Sequence, residues 1–165
     1  MTQARDAAAA VLDLLRSRGW TLAVAESLTG GALSAAIVDV PGASAVLTGA
    51  VVAYATPVKA SLLGVDEALL AERGPVDATV AEQMARGVRR TLAMHGRPAD
   101  VGLSTTGVAG PTPQSGQPVG TVHIGVSTPG STTSRAFVFD GDRSAIRRAS
   151  VTAALRLLEE ALSHP

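Results

Sequence analysis

The chain contains no cysteine. That absence removes disulfides, thiolate nucleophiles and thiolate metal sites from consideration. Aromatics are almost as scarce: Trp20, Tyr54, Phe137 and Phe139 are the only four in 165 residues, too few for base-stacking platforms. Neither sign of charge dominates. Fourteen basic residues balance fourteen acidic ones, with no basic block, which argues against a surface built to neutralise nucleic-acid phosphates. No apolar run approaches the roughly 18 residues of a membrane span. The N-terminus lacks a charged region followed by an apolar signal segment. His95, His123 and His164 are dispersed and show no metal-ligand spacing. The expectation is a cytoplasmic protein with no metal or other cofactor, and with neither nucleic acid nor membrane as partner.

What is present is a globular composition, 46% hydrophobic and 17% charged, sized for one domain over 1–165. The chain is organised around Ala25-Glu26-Ser27-Leu28-Thr29-Gly30-Gly31. An apolar run, 21–25, precedes it; a helical stretch, 32–38, follows. Strand, glycine turn and helix is the arrangement that converges backbone N–H groups on an anion or a developing oxyanion. Ser27 stands just ahead of those donors. The alternative is a capped turn with Ser27 or Thr29 as N-cap.

The rest of the chain alternates helices and strands. Residues 4–18 read as a helix stopped by Gly19. A strand over 49–54, apolar enough for burial on both faces, leads into a helix with Thr56 as N-cap and Pro57 at its first position. Asp66 caps a short helix. Thr79–Glu82 has capping-box spacing ahead of the Val80, Met84, Val88, Leu92 stripe. Strand 101–106, a glycine- and proline-rich loop 107–118, strand 121–127 and strand 134–140 follow. A last helix capped by Asp142 closes the series. The order predicts a three-layer α/β/α sandwich on a mixed, mostly parallel sheet of about five strands. An alanine-rich domain of this size also suits a homodimer.

Four places could carry chemistry. Lys59 falls in a first helical turn, where the macrodipole disfavours a cation. Either its amine reaches water, or burial lowers its pKa and makes it a general base. Tyr54, five residues earlier, either packs in the core or faces a ligand. Thr106-Gly107-Val108-Ala109-Gly110-Pro111 leaves a strand with backbone able to approach a ligand, or is a structural turn. Arg143, Arg147 and Arg148 oppose the dipole of the last helix, which a bound phosphate would relieve, unless all three are solvated. A triad through His123 is conceivable, but nothing marks that residue.

Taken in this order, these motifs resemble the CinA C-terminal domain family, whose stand-alone members include nicotinamide-nucleotide amidohydrolases. Pro118-Val119-Gly120-Thr121-Val122 and Gly141-Asp142-Arg143 followed by Arg147 complete the likeness, which spans about residues 5 to 162. The absence of an N-terminal companion domain resembles the stand-alone type. The resemblance implies deamidation of nicotinamide mononucleotide to nicotinate mononucleotide and ammonia. It places the nucleophile on Ser27, the base on Lys59 and an active-site tyrosine on Tyr54. Glu26, Thr29, Gly30, Gly31, Ser44, Thr106, Gly107, Ala109, Gly110 and Arg143 are the substrate-binding candidates, with the oxyanion held by N–H groups near 29–31. The sequence departs from the family pattern at Leu28, at Gly74-Pro75-Val76-Asp77 and in the loop 112–117. That loop motivates an alternative: a pyridine-nucleotide-binding or regulatory module without turnover.

Overall fold

The structure is a computed structural model describing residues 2–163. Five strands form one sheet: β1 (Leu22–Glu26), β2 (Leu47–Val52), β3 (Val101–Gly107), β4 (Thr121–Ser127) and β5 (Thr132–Val138). Their order across the sheet is β2-β1-β3-β4-β5. β1 pairs in parallel with β2 and β3; β3–β4 and β4–β5 are antiparallel. Four of the five strands therefore run the same way within a mixed sheet.

The helices are α1 (Thr2–Arg18), α2 (Ala32–Val38), α3 (Thr56–Leu63), α4 (Glu67–Arg73), α5 (Ala78–Thr91) and α6 (Arg143–Ser163). α1, α2 and α6 pack on one face of the sheet, α3 and α5 on the other. β1 shows how the sequence selects these layers. Its residues alternate across the pleat: Leu22 and Val24 enter the cluster of α1 and α6, while Ala23 and Ala25 enter the cluster of Leu63, Val80, Met84 and Val88. Small residues on the second side let α5 lie almost on the backbone. A Cβ on Gly102 would stand 1.9 Å from the Ala85 carbonyl oxygen, and one on Gly125 2.3 Å from that of Ala81.

Several local expectations shift. β2 begins two residues earlier than expected and is an edge strand, half-exposed along its length rather than buried on both faces. A run of Val and Ala reads the same at an edge as at the centre of a sheet. Ala55, not Thr56, is the N-cap residue of α3, and it makes no side-chain cap. Asp77, not Thr79, caps α5, accepting from the Thr79 and Val80 N–H groups. β5 starts at Thr132 rather than Ser134. Asp66 and Asp142 cap as expected, and Gly64 ends α3 in the left-handed conformation.

The close approach of α5 is testable. Gly125→Ala must push α5 off the sheet or distort β4, so denaturant unfolding should show a loss of about 1–3 kcal/mol or more. Unchanged stability would contradict the packing.

Candidate active site

β1, β2 and β3 all end at the same edge of the sheet, and β1 lies between the other two. The chain leaves β1 toward α2 on one face and leaves β2 toward α3 on the other. Divergence of this kind opens a crevice at the carboxyl ends of the strands. Side-chain parity then divides two consecutive residues. Glu26 follows Leu22 and Val24 toward α2, and Ser27 follows Ala23 and Ala25 toward α3.

On the α3 side, Lys59 donates from Nζ to Ser27 Oγ at 3.0 Å and to the Ala53 carbonyl oxygen at 2.7 Å. Lys59 is the only lysine in the chain, and it is 1% exposed. Among the described residues no carboxylate pairs with it. Burial lowers its pKa from 10.5 to about 8, because low polarity penalises the ammonium and no anion compensates. The amine is therefore partly neutral near physiological pH and in contact with a hydroxyl.

On the α2 side, the fully buried Glu26 carboxylate accepts from the N–H groups of Gly31, Leu33 and Ser34 at 2.8–3.1 Å and from the Ser34 hydroxyl at 2.7 Å. It is the cap that α2 otherwise lacks, since its N-cap residue is Gly31, and the macrodipole favours an anion there. Glu26 thus occupies the anion position at the helix start. The Gly30 N–H is also engaged, donating to the Ser27 carbonyl. The expected oxyanion donors at Gly30 and Gly31 are already spent. The Leu28 and Thr29 N–H groups have no acceptor among the described residues.

A cavity of about 230 Å³ opens beside Ser27 and Lys59, just under the range of about 300–1,000 Å³ usual for small-molecule sites. Of the sequence candidates, Ser27, Tyr54, Lys59, Thr106, Gly107, Ala109, Gly110 and Arg143 line it. Glu26, Thr29, Gly30, Gly31 and Ser44 do not. The Thr29 hydroxyl is buried against that of Thr105 at 2.8 Å. Ser44 is exposed in a 3-10 turn (Ala43–Ala45) that precedes β2, at the opposite end of the sheet. Tyr54 lies beyond the end of β2 and is 60% exposed, not packed in the core. Its hydroxyl accepts from Arg143 Nη2 at 2.8 Å, while Arg143 Nη1 donates to the Gly110 carbonyl at 2.7 Å. Arg143 thereby joins two walls of the cavity mouth. His123 does not line the cavity. It sits opposite Thr106 in the sheet, its Nδ1 buried without a partner. Burial lowers its pKa, against an opposing effect of Asp77.

Residues 112–114, within the loop 107–118 that the sequence offers as a candidate binding loop, also line the cavity, as do Thr56, Pro75 and Val76, which sequence reasoning missed as site residues. Pro75 arrives through a long-range contact, its carbonyl accepting from the Thr106 hydroxyl at 2.6 Å. The 112–117 loop folds back through paired Gln114 and Gln117. Two larger open hollows, about 880 and 800 Å³, run along β5 and α6 and contain neither Ser27 nor Lys59. The chemically equipped cavity is the smaller one. Among the described residues, no three His, Asp or Glu side chains gather as metal ligands would, and no helix is long and apolar enough to cross a membrane.

Fold and site together define an α/β domain with a serine–lysine pair in a crevice at its strand ends. The family model for the CinA C-terminal domain matches residues 4–162, and the chain belongs to that family. It is 53% identical over 153 residues to a CinA-like protein of Frankia casuarinae and 49% identical over 154 residues to one of Gloeobacter violaceus. These alignments take in 93% and 92% of this chain but 34% and 35% of the relatives, so the chain spans about a third of their length. A crystal structure of a CinA superfamily protein from Klebsiella pneumoniae superposes with a TM-score of 0.90 at 32% identity, covering 98% of this chain and 99% of that one.

Lys59 also leaves a signature in stability. Its folded pKa lies below the unfolded value, so the folded state binds fewer protons between about pH 8 and 10.5. Wild-type stability should rise relative to Lys59→Met across that window, by up to about 3 kcal/mol. A pH-independent difference in unfolding free energy would contradict burial of the amine.

Proposed function

We propose that the protein is an amidohydrolase that deamidates nicotinamide mononucleotide to nicotinate mononucleotide and ammonia. The observation that carries the acyl-transfer chemistry is the contact between the buried Lys59 amine and the Ser27 hydroxyl. The choice of substrate rests on the family likeness.

Neutral Lys59 takes the Ser27 proton as Oγ bonds to the carboxamide carbon. The carbonyl π pair moves to oxygen, where the Leu28 and Thr29 N–H groups are the available donors. The lysine ammonium returns the proton to the amide nitrogen, the C–N bond breaks and ammonia leaves. Water then adds to the ester, with Lys59 accepting its proton, and collapse expels Ser27 with the acid product. The carbonyl of Ala53 holds the Lys59 amine against the serine throughout. Arg143, at the mouth, is suited to the nucleotide phosphate, for which it would exchange its neutral partners Tyr54 and Gly110. Tyr54 touches Arg143 and not the serine–lysine pair, so its role here is binding rather than proton transfer.

The purified protein should release ammonia from nicotinamide mononucleotide. Ser27→Ala and Lys59→Ala should each lower kcat by about three orders of magnitude or more. Because protonated Lys59 cannot accept the serine proton, kcat/KM should rise with pH up to a bend near pH 8. Release that persists in Ser27→Ala would overturn the nucleophile. Nucleotide binding without any ammonia from the wild type would favour a binding module.

A further inference from the structure

Arg147 stands in the second turn of α6, yet its guanidinium is not presented to a phosphate. Nε donates to the Leu28 carbonyl at 3.0 Å and Nη2 to the Thr29 carbonyl at 2.7 Å. The fit is close: a Cβ on Gly30 would stand 3.4 Å from Nη2. A residue nearly 120 positions away in sequence thus grips two consecutive carbonyls of the turn that carries Ser27.

A trans peptide points its N–H opposite to its C=O. By holding the Leu28 carbonyl, Arg147 fixes the Thr29 N–H on the far side of the same peptide. By holding the Thr29 carbonyl it fixes the next peptide, whose N–H is that of Gly30. Gly30 in turn donates to the Ser27 carbonyl at 3.1 Å, which fixes the peptide bearing the Leu28 N–H. One guanidinium therefore orients two N–H groups that have no acceptor among the described residues, those of Leu28 and Thr29. The Leu28 side chain is buried in the α1/α6 cluster, so what Leu28 brings to the cavity is main chain. From the other side, the Glu26 carboxylate takes the N–H groups of Gly31, Leu33 and Ser34, and no free donor remains there.

We propose that Arg147 is a positioning residue, which aims the Leu28 and Thr29 N–H groups at the oxygen that becomes anionic when Ser27 attacks. This rests on Ser27 being the nucleophile, and it separates two arginines one helical turn apart. Arg143 serves binding, and Arg147 serves the transition state.

An organophosphorus fluoridate, diisopropyl fluorophosphate, tests the inference without the amide substrate. Ser27 Oγ bonds to phosphorus, the P–F bond breaks, fluoride leaves and the hydroxyl proton passes to Lys59. Charge gathers on the phosphoryl oxygen. The labelling rate, followed by intact mass and located on the Ser27 peptide, should fall about 100-fold in Arg147→Ala. Arg147→Lys, which reaches one carbonyl, should fall between the two and carries the test if the alanine variant does not fold. With nicotinamide mononucleotide, Arg147→Ala should lose kcat and keep KM, whereas Arg143→Ala should raise KM. Equal labelling of Ser27 in wild type and variant, including none in either, overturns the inference. Because labelling needs no amide, it separates this failure from failure of the nicotinamide reading.

Discussion

A lysine amine removed from water, with only a hydroxyl and a carbonyl to bond, is the constraint on which the site depends. Lys59 has no carboxylate to offset its burial. Its charged form is therefore disfavoured, and the free-energy difference that costs the fold stability near neutral pH also makes the amine a usable base. The surroundings explain how it stays buried. β2 ends just before Ala53, α3 starts at Thr56, and the first turn of α3 turns Lys59 back under the Ala53 carbonyl. The strand-end crevice between β1 and β2 then brings Ser27 within reach.

Two further charges hold the turn that presents Ser27. Glu26 collects the N–H groups on one side, and Arg147 collects the carbonyls on the other. Opposite charges thus act on opposite poles of the same few peptides, and neither is available to a ligand. The three charged residues around Ser27 therefore play different parts. In the reaction proposed above Lys59 takes the proton; Glu26 caps the start of α2, and Arg147 holds two carbonyls of the turn. Small residues under α5 make the opposite wall possible, because Gly102 and Gly125 let α5 settle close enough for Pro75 to meet Thr106.

Element order, the mixed five-stranded sheet and the pairing of Ser27 with Lys59 are legible because each leaves a local pattern: alternating strands and helices, a glycine turn after an apolar run, a cation where a helix dipole opposes it. Eight of the thirteen site candidates line the cavity. The other five lie elsewhere for physical reasons. Glu26 and Ser27 are adjacent in sequence but point to opposite faces, and strand parity from Leu22 onward already implies that division. Gly31 looks like a free donor because the sequence does not say which carboxylate reaches the start of α2, and Gly30 because nothing local shows that its N–H turns back to the Ser27 carbonyl. Thr29 keeps an N–H without an acceptor among the described residues but buries its hydroxyl against Thr105. Ser44 lies near Ser27 in sequence yet at the far end of the sheet, a distance that only topology sets. The two partners of Arg147 are nearly 120 residues away and carry no side-chain signal, since its bonds are to backbone. One signal does lie in the composition: a single lysine among fourteen basic residues.

That single lysine makes the most direct measurement simple. Protein grown with lysine labelled at Cε with ¹³C gives one lysine side-chain resonance, which belongs to Lys59, and its chemical shift can be followed against pH. The serine–lysine account requires a titration midpoint near pH 8 that moves when Ser27 is replaced by alanine. A midpoint at the ordinary value of about 10.5, unaffected by Ser27→Ala, would mean a solvated ammonium and would contradict the base assigned to this site.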